Sequence, residues 1–185
     1  MLGTLVAVKP ATWFVNAGLR TLRAFVPSLA RPDDTFAAQW LSGHELDLYQ
    51  GMDRRDRDHA CRVARALLAA HPGAPATVVR AALLHDVGKS AVPYRAWERI
   101  VVHLCRPWRE ARGEAAGRDD TGDAGATPAV GLVGLLAWHR RHAARGAEMI
   151  LAAGGDPEVA ALVRHHHDPR GFAGAELIRA ADADT

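Results

Sequence analysis

Apolar residues recur at steps of three and four positions through most of the chain, and this spacing places them on one face of an α-helix. The segment from 53 to 70 shows the pattern, and the segment from about 129 to 153 shows it again. Between Pro75 and Leu84 nearly every position is apolar, which is typical of a helix at the centre of a fold. The pattern predicts an all-α protein.

Residues that start and stop helices divide these segments. Asp53 and Asp156 each precede an apolar-periodic segment, where a carboxylate can accept hydrogen bonds from the free amides of a helix N-terminus. The sequence His-Pro-Gly at 71–73 and the glycine pair at 154–155 are typical of helix ends. We therefore expect one helix from 53 to 70 and another that ends at the glycine pair.

Shorter helices are expected on either side of these segments. Residues 35–41 can form a short helix, and Ser42 and Glu45 have the spacing of a capping box for a helix that continues through Met52. A further apolar stripe predicts a helix over residues 93–104.

Two stretches depart from the main pattern. Residues 11–29 carry a narrow apolar stripe, so residues 1–34 are expected to form an N-terminal amphipathic helical extension and residues 35–185 a single domain. Between 106 and 128 the periodicity fades into Gly, Asp, Ala and Arg, which predicts a mobile loop.

Composition supports a helical domain and excludes several functions. Of the residues, 49% are hydrophobic and only 6% aromatic, and the formal net charge of +2 comes with basic residues scattered among acids. No nucleic-acid surface is therefore evident. Cys61 and Cys105 form no CxxC pattern, and neither a transmembrane segment nor a signal peptide is recognisable, so we expect a cytoplasmic protein.

Side chains of the kind that bind metals lie on the predicted buried faces of separate helices. His85 and Asp86 end the apolar segment that starts at Pro75, and a buried His-Asp pair is costly to desolvate unless a cation compensates it. Helical phase places His142, rather than His139, on the buried face of its helix. The same criterion selects the following set: His59, His85, Asp86, His142, His166 and Asp182.

Neighbouring residues leave alternatives open at two of these positions. His165 and His167 flank the apolar stripe on which His166 falls, and Asp184 competes with Asp182. A mixed set of nitrogen and oxygen ligands suits Fe, Mn, Co, Ni or Zn better than Mg or Ca.

Gly88 and Lys89 follow the His-Asp pair directly. We expect Gly88 to turn the chain out of the helix and to leave Lys89 near the same cavity. The chain otherwise uses arginine for nearly all of its basic groups, so a lysine here favours contact with a phosphate by a compact ammonium group.

These motifs together resemble the HD-domain superfamily of metal-dependent phosphohydrolases. Leu-His-Asp-Val-Gly-Lys at 84–89 is similar to the family's HD-x-G-K motif, and the segment 142–148 resembles one that supplies a further ligand in binuclear members. His-His-Asp at 166–168 resembles the family's His-His-acid motif, and Asp182 resembles its final aspartate. The Gly-Tyr-Pro element of enzymes that open cyclic di-GMP is missing, which argues against that substrate.

The resemblance implies a helical bundle of five or more core helices around a metal site. It further implies hydrolysis of a phosphate ester, of a nucleotide or related small molecule, by a metal-activated hydroxide with one or two divalent ions. Asp86 would bridge two ions and Lys89 would stabilise the phosphoryl oxygens, while Arg140 and Arg141 are candidates for substrate binding. The implied ligands are His59, His85 and Asp182 for one ion, and His142, His166 and His167 for the other.

Other functions agree with the same residues. A mononuclear nucleotidase would use only His59, His85, Asp86 and Asp182. A non-catalytic module would bind a nucleotide or metal without turnover. The sequence leaves open whether the enzyme is a phosphomonoesterase or a phosphodiesterase. It also leaves open whether the chain forms a homo-oligomer.

Overall fold

The computed structural model describes residues 30–91 and 132–185, and their side chains except for Ala91 and residues 132–140. Within these ranges the chain forms seven α-helices and one 3-10 helix and no β-strand, which confirms the all-α prediction. The elements are α1 (Asp34–Trp40), α2 (His44–Gln50), α3 (Arg54–Ala70), α4 (Ala76–Leu84), the 3-10 helix (Val87–Ala91), α5 (Leu132–Ala152), α6 (Pro157–His165) and α7 (Ala173–Asp184).

Several predictions fall elsewhere in the chain. The N-terminal helix over 11–29, the helix over 93–104, the loop over 106–128, Cys105 and the side chain of Arg140 lie outside the described residues. The division at residue 34 likewise stays a prediction. None of the helices in the described ranges is both long enough and apolar enough to cross a bilayer.

The predicted starts of α3 and α6 and the predicted end of α5 are confirmed. Asp53 accepts a hydrogen bond from the Arg55 amide at the start of α3, and Asp156 accepts one from the Glu158 amide at the start of α6. Beyond α5, Gly154 has a φ of 76°, a left-handed conformation that favours glycine. The Gly155 amide then donates to the Ile150 carbonyl at 2.8 Å and closes the helix end.

Helix α2 departs from the capping-box prediction, which is wrong. The N-cap residue is Gly43, without a side-chain hydrogen bond, and the helix ends at Gln50. The Glu45 carboxylate instead accepts hydrogen bonds of 2.6 and 2.9 Å from the guanidinium of Arg80 on α4. A charged guanidinium is a stronger partner for a buried carboxylate than a backbone amide, so the long-range pair prevails over the local motif.

Helix α4 lies at the centre of the fold, as predicted. Its residues from 81 to 84 are fully buried, and it packs against α3, α6 and α7. Arg80, its one charged residue, also donates to Asp156 at the start of α6 at 3.1 Å. This guanidinium therefore joins α2, α4 and α6 through two carboxylates.

The 3-10 helix packs closely against α5 at two glycines. A Cβ on Gly88 would collide with the carbonyl oxygen of His142 and would lie 2.7 Å from the Gly146 nitrogen. A Cβ on Gly146 would lie 3.2 Å from the Gly88 nitrogen, so the predicted close approach at Gly146 is confirmed. Gly88 does not have a positive φ. Helix α4 already ends at Leu84, and Gly88 lies inside the following 3-10 helix, so Gly88 is not the residue that turns the chain out of α4. Its role is to let two backbones meet.

Replacement of Gly88 by alanine tests this close contact. We expect Gly88→Ala to lower the free energy of unfolding by about 1–3 kcal/mol, because the added methyl group forces the 3-10 helix away from α5. Urea unfolding measures the effect. Gly73→Ala is the control, since a Cβ there would have no neighbour within 4 Å among residues 30–91 and 132–185 as far as the structure describes them. Equal stability of the two variants would contradict the packing role.

Removal of the Arg80 guanidinium tests the ion pair. We expect Arg80→Met to cost about 3 kcal/mol, because it leaves the buried Glu45 carboxylate without a compensating charge. The double variant Glu45→Gln/Arg80→Met should be more stable than Arg80→Met alone. If instead the double variant is the less stable of the two in urea unfolding, Glu45 and Arg80 do not depend on each other as described.

Candidate metal centre

Five helices bring the predicted ligand side chains to one place. α3 contributes His59, α5 contributes His142, and the last turn of α7 contributes Asp182. His85 and Asp86 follow the end of α4, and His166 and His167 follow the end of α6. The four most enclosed members, each at most 3% exposed, are His85, Asp86, His142 and His166.

A first group of ligand atoms surrounds His85. His59, His85 and Asp86 each offer an atom within 4.8 Å of the others. Asp182 joins this group, because its Oδ1 lies 2.8 Å from His59 Nε2 and 4.0 Å from His85 Nε2. The group therefore holds two imidazoles and two carboxylates, which is a sufficient donor set for a transition-metal ion.

A second group consists of three imidazoles. His142, His166 and His167 offer nitrogen atoms within 4.8 Å of one another, and the Nε2 atoms of His142 and His167 lie 3.1 Å apart. His167 is exposed as a residue, yet its ring reaches into the group.

The Asp86 carboxylate lies between the two groups. Its Oδ2 is 3.5 Å from His85 Nε2, and its Oδ1 is 3.3 Å from His142 Nε2. Each oxygen thus faces a different set of imidazoles. A carboxylate in this position has the geometry to contact two cations at once.

Charges around Asp86 hold the carboxylate in its ionised form. Burial by itself would raise its pKa, but His85, Lys89 and His142 together keep the pKa well below the usual range of an aspartate. The Lys89 ammonium lies 2.5 Å from Asp86 Oδ2. Burial would lower the pKa of Lys89, but Asp86 and Asp56 raise it, so both members of the pair are charged.

Asp182 is likewise ionised at neutral pH. Burial opposes its charge, but the hydrogen bond from His59 and the field of His85 lower its pKa. Asp184, the competing candidate, is exposed. The geometry thus selects Asp182 for the cluster.

Backbone carbonyls orient two of the imidazoles. The Nδ1 of His85 lies 2.9 Å from the Ala82 carbonyl oxygen, and the Nδ1 of His166 lies 2.6 Å from the Val163 carbonyl oxygen. Because a carbonyl only accepts, each Nδ1 carries a hydrogen, and the neutral form of such a ring has its lone pair on Nε2, the atom that faces the cluster. This is the tautomer required of a histidine that binds a metal through Nε2.

His166 supplies a direct indication that the cluster suits a cation. Its Nε2 is buried and has no hydrogen-bond partner among the described residues. Burial, with the neighbouring His85 and His142, lowers the pKa of His166 to about 3, so the ring is neutral at pH 7. A buried lone pair without a donor is costly in a folded protein, and a divalent ion would satisfy it. The residues present therefore fit a transition metal.

The neighbouring candidates lie elsewhere. The ring of His165 stacks on Phe172 with 3.9 Å between centroids and is not a member of either group. The Asp168 carboxylate pairs with the Arg170 guanidinium on the surface. Of the two candidates for substrate binding on α5, Arg141 is half-buried.

One charged residue beside the cluster was missed from the sequence. Asp56 is buried at the start of α3, and its field helps to raise the pKa of Lys89. It precedes His59 by three residues and therefore lies on the same helical face. In the sequence Asp56 has no signal of its own beyond an acidic residue in the first turn of a helix, which is favourable there in any helix.

Comparison with known proteins gives a match to one family model. No curated protein and no solved structure matches the chain. The family model of the HD domain matches residues 57–184, a range that contains all seven members of the two groups and Lys89. The chain therefore belongs to the HD-domain family, in the superfamily of metal-dependent phosphohydrolases.

Proposed function

We propose that this HD domain hydrolyses a phosphate ester of a nucleotide or related small molecule at a site for two divalent transition-metal ions. The observation that carries the proposal is the position of Asp86, whose two oxygens face two separate groups of imidazoles. A mononuclear site would leave the second group without a role. The Nε2 of His166, which is buried and has no hydrogen-bond partner in the described part of the chain, belongs to that second group.

The chain's own residues would divide the work as follows. One ion would be held by His59, His85 and Asp182, and the other ion would be held by His142, His166 and His167. Asp86 would contact both ions. Divalent ions bound there supply Lewis acidity toward the phosphoryl group and lower the pKa of a coordinated water. The buried helices around the cluster keep its dielectric constant low, which strengthens each charge interaction.

Lys89 would bind the substrate phosphate. Its ammonium is charged and lies at the edge of the cluster beside Asp86, with 20% of the side chain exposed. A phosphoryl group next to the ions would therefore meet a positive charge that is already in place. Arg141 and Arg140 remain candidates for further contacts with the substrate, since α5 carries them directly before His142.

Removal of the central carboxylate tests the proposal. We expect Asp86→Asn to lose most of the bound metal, about two ions per chain in the wild type, and to lose turnover. Elemental analysis of protein purified without chelator measures the metal. Hydrolysis of p-nitrophenyl phosphate and bis(p-nitrophenyl) phosphate, with added Mn²⁺, Co²⁺, Ni²⁺, Fe²⁺ or Zn²⁺, measures monoesterase and diesterase activity.

Asp184→Asn is the matched control, because Asp184 is an exposed aspartate on α7. It should keep the wild-type metal content and rate. An Asp86→Asn protein with full metal content and full activity would show that the site is not centred on this carboxylate.

A count of ions separates the binuclear site from the mononuclear alternative. We expect His166→Ala to hold about one ion per chain instead of about two, since only the second group loses a ligand. His165→Ala is the control, since the His165 ring stacks on Phe172 outside both groups. One ion in the wild type and no loss in His166→Ala would favour the mononuclear nucleotidase.

A further inference from the structure

Asp182 lies in a part of α7 that needs external support. It is in the last turn, where the final carbonyl groups of a helix have no intrahelical partner and where helices fray. Beyond it, the Thr185 amide and hydroxyl contact the Asp182 carbonyl at 3.4 and 3.3 Å, which are long hydrogen bonds. The backbone of this turn alone holds the carboxylate weakly.

An arginine on α3 contacts the same turn. The Nη1 of Arg62 donates to the Thr185 carbonyl oxygen at 2.9 Å. Arg62 follows His59 by three residues, so both side chains lie on one face of α3. His59 contacts the Asp182 carboxylate at 2.8 Å. α3 thus holds the end of α7 at two points, one on a side chain and one on the backbone.

The Asp58 carboxylate helps to orient the Arg62 side chain. Asp58 lies one turn earlier on α3, and its Oδ2 is 3.4 Å from Arg62 Nε. Asp58 Oδ1 in turn accepts a hydrogen bond of 3.1 Å from the Arg31 amide, which restrains the carboxylate. The side chains are 16% and 31% exposed for Asp58 and Arg62, so the pair is partly shielded from water.

We propose that Arg62 is a positioning residue that holds the last turn of α7 so that the Asp182 carboxylate stays beside His59. The inference rests on the proposed function, in which Asp182 is a metal ligand. The Asp182 side chain is 25% exposed, so a released turn can rotate the carboxylate into water. Arg62 then contributes to metal affinity without contacting the ion.

The affinity for Zn²⁺ tests this role directly, by competition with a chromogenic chelator. We expect Arg62→Ala to weaken the binding of one ion by about tenfold, as is usual for the loss of a group that supports a ligand. Arg65→Ala is the control. It removes the next arginine of α3, which pairs with Asp33 and lies over the Phe36 ring, and it should leave the Zn²⁺ affinity unchanged.

A double-variant cycle separates positioning from a general loss of stability. In an Asp182→Asn background, Arg62→Ala should cause no further loss of Zn²⁺ affinity, because the ligand on which it acts is already gone. Arg62→Lys should recover part of the affinity, since an ammonium can also donate to the Thr185 carbonyl. An equal loss from Arg62→Ala in both backgrounds would overturn the positioning role.

The remaining outcomes are distinguishable. Normal Zn²⁺ binding by Arg62→Ala, with weakened binding by Asp182→Asn, overturns the inference and leaves the proposed site intact. Unchanged binding by Asp182→Asn overturns the inference together with the assignment of Asp182. Failure of the wild type to bind Zn²⁺ or any other of the divalent ions overturns the proposed function itself.

Discussion

The ionised, buried carboxylate of Asp86 is the constraint on which the rest of the centre depends. Burial opposes its charge, and the imidazoles of His85 and His142 with the ammonium of Lys89 offset that cost. Each oxygen faces a different histidine, at 3.5 and 3.3 Å. The fold must therefore bring α4, the 3-10 helix and α5 together within a few ångströms.

The two glycines at the contact between the 3-10 helix and α5 meet that requirement. Without side chains, Gly88 and Gly146 let the backbones approach until a Cβ at either position would be crowded. Asp86 precedes this contact by two residues and His142 lies four residues before Gly146, so the backbone spacing sets the distance between their side chains. The apolar helix α4, which ends just before His85 and Asp86, is buried in the core and fixes the position of these two residues.

Helical phase was sufficient to predict most of the candidate centre. It selected His142 on α5 and placed His166 on the apolar stripe of α6, and both side chains are buried in the structure. Helical phase also favoured Asp182 on α7, although Asp184 in the same last turn was kept as a competing candidate. Only the packing of α3 against that turn brings Asp182 to His59 and leaves Asp184 exposed.

Contacts between distant segments were beyond the reach of the sequence pattern. Ser42 and Glu45 have the local spacing of a capping box, but nothing in that spacing shows that Arg80 lies opposite Glu45 in the fold. His167 lies off the helical stripe and enters the second group because the chain leaves α6 just before it. The family resemblance, rather than the periodicity, was what pointed to it.

The position of bound ions in crystals of the Mn²⁺-loaded protein tests the central claim most directly. The account predicts two anomalous scattering peaks, one among His59, His85 and Asp182 and one among His142, His166 and His167, with Asp86 in contact with both. A single peak that leaves the second group of imidazoles without a metal would contradict it.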